Sequence, residues 1–397
     1  MNKTIIAGNK GPKVREDCLV TFETQQGGRL DIHAESESMR SLAEQIFNFF
    51  GIEQGHIRIE DSGAPDFVLA ARIEACVKQM VKTDKNFLPD MIAENGYGSS
   101  KKRMRLSRLY LPGNTPKMIV KAGTYKPYAI ILDLEDAVAA AKKDEARLLV
   151  RNALRQVDFG GVERMVRINQ LPLGLTDLEQ IVPHNVHVIL IPKCESSEEI
   201  KQVNEKIHLV KDGTAITNEI FLMPIIESSK GVLNAAEIAG CAKNIIALTI
   251  GLEDYTADLG VKRTLEGNES FYARSHLVNV CKAYEIQAID SVYSDVGDPE
   301  GLRQTVMRSK ALGFEGMGCI HPAQISIVHD GYTPDDQEIE KAKRIVIAYE
   351  KAMADGLGVV ALGTKMIDPP VVERALQAIA MAVSLDKIPE DWITEDK

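Results

Sequence analysis

Much that would mark a secreted, membrane or nucleic-acid-binding protein is missing from this sequence. Its six cysteines, Cys18, Cys76, Cys194, Cys241, Cys281 and Cys319, are widely spaced and form no C-x-x-C. That excludes a small disulfide-stapled fold and a thiolate zinc centre, and leads us to expect reduced thiols in a cytoplasmic protein. No uncharged apolar run approaches the ~18 residues that a spanning helix needs. Positive charge is not in excess: 47 Lys and Arg face 57 Asp and Glu, for a net −10. A net acidic surface disfavours nucleic acid and anionic membranes as partners. The opening residues, MNKTIIAGNKGPKVRED, have no apolar core or small-residue cleavage site, so we do not expect a signal peptide.

What is present is ordinary for a globular chain: 397 residues, 45% hydrophobic and 26% charged. At ~100–200 residues per domain this is two or three domains. We expect a small α+β domain over 1–81, a linker over 82–102, a large α/β domain over 103–345 and a C-terminal helical arm over 346–397. In the first, Cys18 to His33 reads as a strand pair turning at Gly27-Gly28. Glu37 to Phe50 carries Leu42, Ile46, Phe49 and Phe50 on one helical face and stops at Gly51. Ile57-Arg58-Ile59 is a short strand, and Pro65 to Val81 a second helix. The linker holds Asp84, Asn86, Pro89, Asn95, Gly96, Gly98, Ser99 and Ser100 with weak periodicity.

Eight apolar runs follow: Leu106–Pro112, Ala129–Leu134, Met165–Asn169, Val186–Pro192, Ile220–Ile226, Ile245–Ile250, Ala288–Val292 and Gly316–His321. Between most lie helix-sized segments such as Ala137–Gln156 and Ser229–Ala242. Near-continuous Val/Ile/Leu runs suit strands buried on both faces, and eight βα units predict a closed (β/α)8 TIM barrel. An open doubly wound sheet is the alternative, weakened by the lack of any G-x-G-x-x-G after a strand. Beyond the barrel, a helix is expected from Gln337 to Asp355, then a loop bracketed by Gly356, Gly358 and Gly363 that contains Asp368, then a helix from Val371 to Leu385.

Barrel chemistry sits at the C-terminal ends of the strands. Those ends read Asp133-Leu134-Glu135-Asp136, Arg167-Ile168-Asn169, Lys193-Cys194-Glu195, Glu227-Ser228, Glu253-Asp254, Ser294-Asp295 and His321-Pro322. Taken singly, Asp136 reads equally as a helix cap, Arg167 as a structural ion pair and His321 as a satisfied core histidine. Convergence on one rim is what argues for a site. Crowded carboxylates need compensation, and all-oxygen ligands suit Mg²⁺. Glu227 and Asp254, ending adjacent strands, form the expected ligand pair, with Arg167 clamping the carboxylate of a small 2-oxo or 2-hydroxy acid. Separately, Lys101, Lys102, Arg103, Arg105 and Arg108 cluster before the first barrel strand. This reads either as a solvated linker end or as a seat for a phosphate-rich handle such as coenzyme A.

The motifs SRLYLPGNTPKMIVKA, IILDLEDAVAAAKKDEAR, VRINQL, IPKCES, IIESSKGVLNAAEIA, IGLEDYTADLG, YARS, LGFEGMGCIHPAQI and KMIDPP resemble, in order, those of the citrate lyase β-subunit family. That family includes malyl-CoA and citramalyl-CoA lyases and belongs to the HpcH/HpaI aldolase superfamily. The resemblance implies a Mg²⁺-dependent barrel cleaving a 3-hydroxyacyl-CoA thioester, citryl-, citramalyl- or malyl-CoA-like, into acetyl-CoA and a 2-oxo acid. It puts the metal carboxylates on Glu227 and Asp254, the substrate arginine on Arg167, the D-L-E-D acidic pair on Glu135 and Asp136, and the acid of the Met-Ile-Asp loop on Asp368. It also implies a homo-oligomer, a trimer or hexamer, in which the arm reaches a neighbouring subunit. One departure is visible: the family's first strand often opens Arg-Ser, whereas Ser107 here follows Leu106, leaving Arg105 or Arg108 as the substitute.

DSGAPDFVLAARIEA, in the first domain, is similar to the end of the citrate lyase acyl carrier protein, the γ-subunit. The carrier's prosthetic-group serine corresponds to Arg15, which cannot form the phosphodiester, so this domain is expected to be unmodified. Two other readings of the chain stand beside the lyase. One is a malate-synthase- or thioesterase-like enzyme that hydrolyses the thioester. The other is a non-catalytic subunit of a citrate-lyase-like complex.

Overall fold

The computed structural model describes residues 3–25, 28–212, 218–354, 356, 360–362 and 365–395. In the N-terminal unit apolar residues alternate with polar ones. Val20 and Phe22 are buried along β2 (Asp17–Glu23), which pairs antiparallel with β1 (Thr4–Gly8). β3 (Leu30–His33) and β4 (Gly55–Ser62) complete a sheet of order β1-β2-β4-β3. The expected pairing of β2 with β3 is therefore wrong, because β4 lies between them, antiparallel to β2 and parallel to β3. A parallel pair needs a crossover, and the helix Glu37–Phe50 between β3 and β4 supplies it. Ser36 caps that helix by accepting from the Met39 N–H at 3.2 Å, and Gly51 ends it in the left-handed region at φ 72°. Gly27 lies outside the described residues.

The helix Asp66–Met80 is buried continuously from Phe67 to Val77. It packs on its own sheet with one side and on the barrel helix Lys143–Gln156 with the other. Charges buried in this interface are paired. Arg72 donates to both carboxylate oxygens of Asp17 at 2.9 and 3.0 Å and to Glu145 at 3.3 Å, and Arg151 grips Glu74 at 2.9 and 2.7 Å. The segment that follows is tied down as well. Asn95 donates to the carbonyls of Leu154 and Val157 at 3.0 and 2.8 Å, and Arg164 donates back to it.

Eight parallel strands come next: β5 (Ser107–Pro112), β6 (Ala129–Asp133), β7 (Glu163–Arg167), β8 (Val188–Ile191), β9 (Phe221–Ile226), β10 (Ala247–Ile250), β11 (Gln287–Ile289) and β12 (Met317–Cys319). Their spatial order is β11-β10-β9-β8-β7-β6-β5-β12, and a bridge from Asp290 to Met317 closes the ring. This is the barrel, not the open sheet. Consecutive residues serve two cores: Ile131, Met165, Leu190, Met223 and Ile289 fill the interior, while Ile130, Val166, Ile189, Leu222 and Leu248 pack outward beneath the helices.

The helix expected from Ala137 starts at Lys143 instead. Asp133 is the cause. Its carboxylate accepts from the backbone N–H groups of Glu135 at 2.9 Å and Ala137 at 3.1 Å, holding residues 134–139 in a turn. In the arm, the helices Asp336–Ala354 and Pro369–Ser384 bury Ala342, Val346, Val372, Ala375 and Ile379 in a small core of their own. The expected endpoint Asp355 and the loop glycines Gly358 and Gly363 lie outside the described residues. Among the described residues no helix is long and apolar enough to cross a membrane.

Candidate active site

Arg167 ends β7 beside Asp133, which ends β6. Nε and Nη2 of Arg167 donate to the two Asp133 oxygens at 2.7 and 2.6 Å, and Nη1 lies 3.1 Å from Glu135. Its guanidinium carbon stands 5.4 Å from the centre of the Tyr110 ring. Burial opposes its charge, but the hydrogen bonds and charge of Asp133, with Glu135, hold it above the usual arginine range. The side chain is thus held charged and oriented.

Lys193 follows β8 with the uncommon φ of +48°. That backbone aims its N–H at Glu227 Oε2, 2.9 Å away. Its ammonium lies 3.4 Å from Glu135, 3.6 Å from Asp136 and 3.4 Å from Asp254. Burial works against this charge, yet the three acids lift the amine to about 12.

Glu227 ends β9 and is buried. Burial pushes its carboxyl up to about 7; the Lys193 N–H pulls the other way, and the negative charge of Asp254 adds to the rise. Gly251, after β10, makes room for it: a Cβ there would stand 2.3 Å from Glu227 Oε1. A cleft of about 370 Å³ opens at the C-terminal mouth of the barrel, lined among others by Arg108, Tyr110, Asp133, Arg167, Glu227 and Asp254.

Of the residues expected from the sequence, Arg167, Glu227, Asp254 and Asp136 line this cleft, and Glu135 supports Arg167 and Lys193 from behind. Asp368 is not among the lining residues; its carboxylate accepts from the Val371 N–H at 3.3 Å and caps the helix Pro369–Ser384. His321 is exposed, accepting from the Ala323 N–H at 3.2 Å, so it is neither a core histidine nor a cleft residue. The cationic cluster is not one patch: Lys101, Lys102, Arg103 and Arg105 precede β5, at the opposite end of the barrel from the cleft, where Arg105 is fully buried against Glu163 at 2.7 Å, whereas Arg108 lies within β5 and lines the cleft. The sequence places Asp133 and Lys193 among the strand ends that converge on the rim but assigns neither a role; Gly251 was passed over and left no signal beyond its position.

The chemistry of the donors fits a hard divalent cation. Glu227 follows β9 and Asp254 lies in the short helix that follows the neighbouring β10, both carry oxygen, and Arg167 and Lys193 stand against this group of acids.

A closed parallel barrel with acids and a fixed arginine at its C-terminal mouth is the architecture of a TIM-barrel enzyme. Residues 106–322 match the model of the HpcH/HpaI aldolase/citrate lyase family, more than half the chain, and the chain belongs to that family. Residues 3–80 match the model of the malonate decarboxylase delta subunit, an acyl carrier protein family. The chain is 37% identical over 285 residues to citrate lyase subunit beta of Haemophilus influenzae, covering 71% of this chain and 98% of that one. It is 33% identical over 307 residues to human mitochondrial citramalyl-CoA lyase, covering 73% and 90%. The crystal structure of CitE from Mycobacterium tuberculosis, in complex with magnesium, acetoacetate and coenzyme A, superposes with a TM-score of 0.59 at 26% identity, covering 71% and 99%. Its family makes the chain a lyase.

Proposed function

We propose that this chain is a Mg²⁺-dependent carbon–carbon lyase that cleaves a 3-hydroxyacyl-CoA thioester into acetyl-CoA and a 2-oxo acid. The observation that carries this reading is the convergence of Glu227, Asp254 and the Asp133-held Arg167 on one cleft. Glu227 and Asp254 would hold the cation, which when bound supplies Lewis-acid polarisation of the substrate oxygens. Arg167 holds the carboxylate of the oxo-acid half. The carboxylate of Asp136, exposed at the edge of the cleft, would take the 3-hydroxyl proton as general base, while Glu135 orients Arg167 and Lys193. As that proton leaves, the C2–C3 bond breaks and its electron pair passes into the thioester as an enolate. Asp368 returns a proton to the methylene carbon. Asp368 lies in the arm and does not line the cleft of its own chain, so it would be supplied by a neighbouring copy in a trimer or hexamer. A second pocket shares Leu252, Glu253, Asp290 and Ser291 with the cleft and presents Arg308, a cation suited to a phosphate of the thioester, beside the Arg263–Glu253 and Arg274–Asp290 pairs.

The test is a panel of acetyl-CoA with glyoxylate, pyruvate and oxaloacetate, followed in both directions with and without Mg²⁺. We expect Mg²⁺-dependent condensation and cleavage, abolished in Asp254→Asn with an unchanged circular dichroism spectrum. Wild-type turnover in that variant, or turnover indifferent to Mg²⁺, defeats the reading. Free coenzyme A without carbon–carbon cleavage would point to thioester hydrolysis instead.

A further inference from the structure

Arg108 is the one cleft-lining cation that the mechanism leaves unused. It points into the barrel from β5, directly below Tyr110 on the same face, and is 1% exposed. Its Nη1 reaches Met223 Sδ on β9 at 2.9 Å and its Nη2 reaches Thr249 Oγ1 on β10 at 3.0 Å; its Nε has no hydrogen-bond partner. A thioether is a weak acceptor, and no carboxylate among the described residues lies within ion-pair distance. The other buried arginines differ. Arg72, Arg105, Arg151 and Arg274 pair with Asp17, Glu163, Glu74 and Asp290. Arg164, which also lacks a carboxylate, gives its donors to oxygens of Asn95, Tyr97 and Asn185.

A guanidinium so buried without a counter-ion is costly, and its charge is accordingly disfavoured by desolvation. Such a group persists where something else brings the anion. The cleft that Arg108 floors already offers Arg167 and the acid pair at its rim for one carboxylate and its neighbouring oxygen.

We propose that Arg108 recognises a second carboxylate of the substrate, so that the site prefers a dicarboxylate oxo-acid fragment to a monocarboxylate one. The thioester half of this inference rests on the lyase reading above; the carboxylate subsite does not. A fragment ending in CH₂–COO⁻ places its terminal charge at the barrel floor, whereas one ending in CH₃ leaves Arg108 bare and desolvated.

Malate and lactate make the test, since they differ only in that terminal group. Calorimetric titration in Mg²⁺ should show malate binding the wild type at least tenfold more tightly than lactate. In Arg108→Met, which fills the barrel without charge, the two should come within threefold of each other, with lactate and Mg²⁺ binding unchanged. Arg108→Gln, as a second variant, should lose the preference too. Equal affinities in the wild type overturn the proposal whether or not the variants fold. So does a preference that survives in Arg108→Met, or an equal loss of both acids, which would mean a merely structural arginine. With CoA thioesters, Arg108→Met should lower kcat/KM for the oxaloacetate-derived substrate about 10–100-fold and leave the pyruvate- and glyoxylate-derived ones within threefold. A wild type that shows the malate preference but cleaves none of the three sinks the lyase reading and leaves the subsite standing.

Discussion

Asp133 and Arg167 meet at two points, Nε to Oδ1 at 2.7 Å and Nη2 to Oδ2 at 2.6 Å, while the same carboxylate also holds the turn after β6. One side chain thereby sets both the shape of the rim and the aim of the arginine. Asp133→Asn keeps the volume but removes the charge and one acceptor. We expect kcat/KM to fall roughly 100-fold, the scale of a misplaced positioning group, with Mg²⁺ affinity within threefold of wild type. Steady-state kinetics and calorimetric titration check this; undiminished kcat/KM would show that Arg167 needs no such partner.

Gly251 is needed for space, not for backbone freedom, since its φ of −107° suits any residue. Its absent Cβ is the room that Glu227 occupies, 2.3 Å from Oε1. Gly251→Ala should displace that carboxylate and lower lyase activity about 100-fold while the melting temperature changes little. An alanine variant with wild-type activity means the carboxylate is free to move aside.

Glu74 lies in the N-terminal unit and Arg151 on a barrel helix, and both are fully buried. Removing one partner of a buried pair leaves the other charge stranded. Glu74→Ala should therefore cost about 3–5 kcal/mol of stability, read as a lower urea midpoint. A midpoint unchanged from wild type would show that the two units do not depend on this pair.

His184 and His187 are held neutral, burial first and then Arg151 and Arg155 for one and Arg164 for the other pushing both down to about 3. Unfolded, each titrates near 6.5. Their contribution is thus fully present above pH 6.5. As pH falls towards 3 the unfolded state takes up protons that the folded state refuses, and stability drops by about 1.4 kcal/mol per pH unit per histidine. Urea unfolding at pH 7.5, 6 and 5 should show the decline, and His187→Gln should remove about half of it. Equal stability at the three values contradicts the assignment.

The barrel was legible because parallel strands buried on both faces must be apolar throughout, and eight such runs admit few arrangements. Strand ends, read in order, already named Arg167, Glu227 and Asp254. What periodicity could not show was pairing between distant segments: β4 between β2 and β3, or Arg105 turned towards Glu163 at the base of the barrel. A charge run reads alike whether it is solvated or buried, because burial is a property of the neighbours.

The order of apolar runs and polar strand ends in the chain is a local property, and it determined the barrel and the acids and bases at its mouth. Only the tertiary structure decided which of them touch. Asp133 takes Arg167, Lys193 stands among three acids, Gly251 yields its space to Glu227, Asp368 stays in the arm, and Arg108 is left without a carboxylate. Hydrogen bonds and charges act over a few ångströms, and residues that close come from strands far apart in the chain.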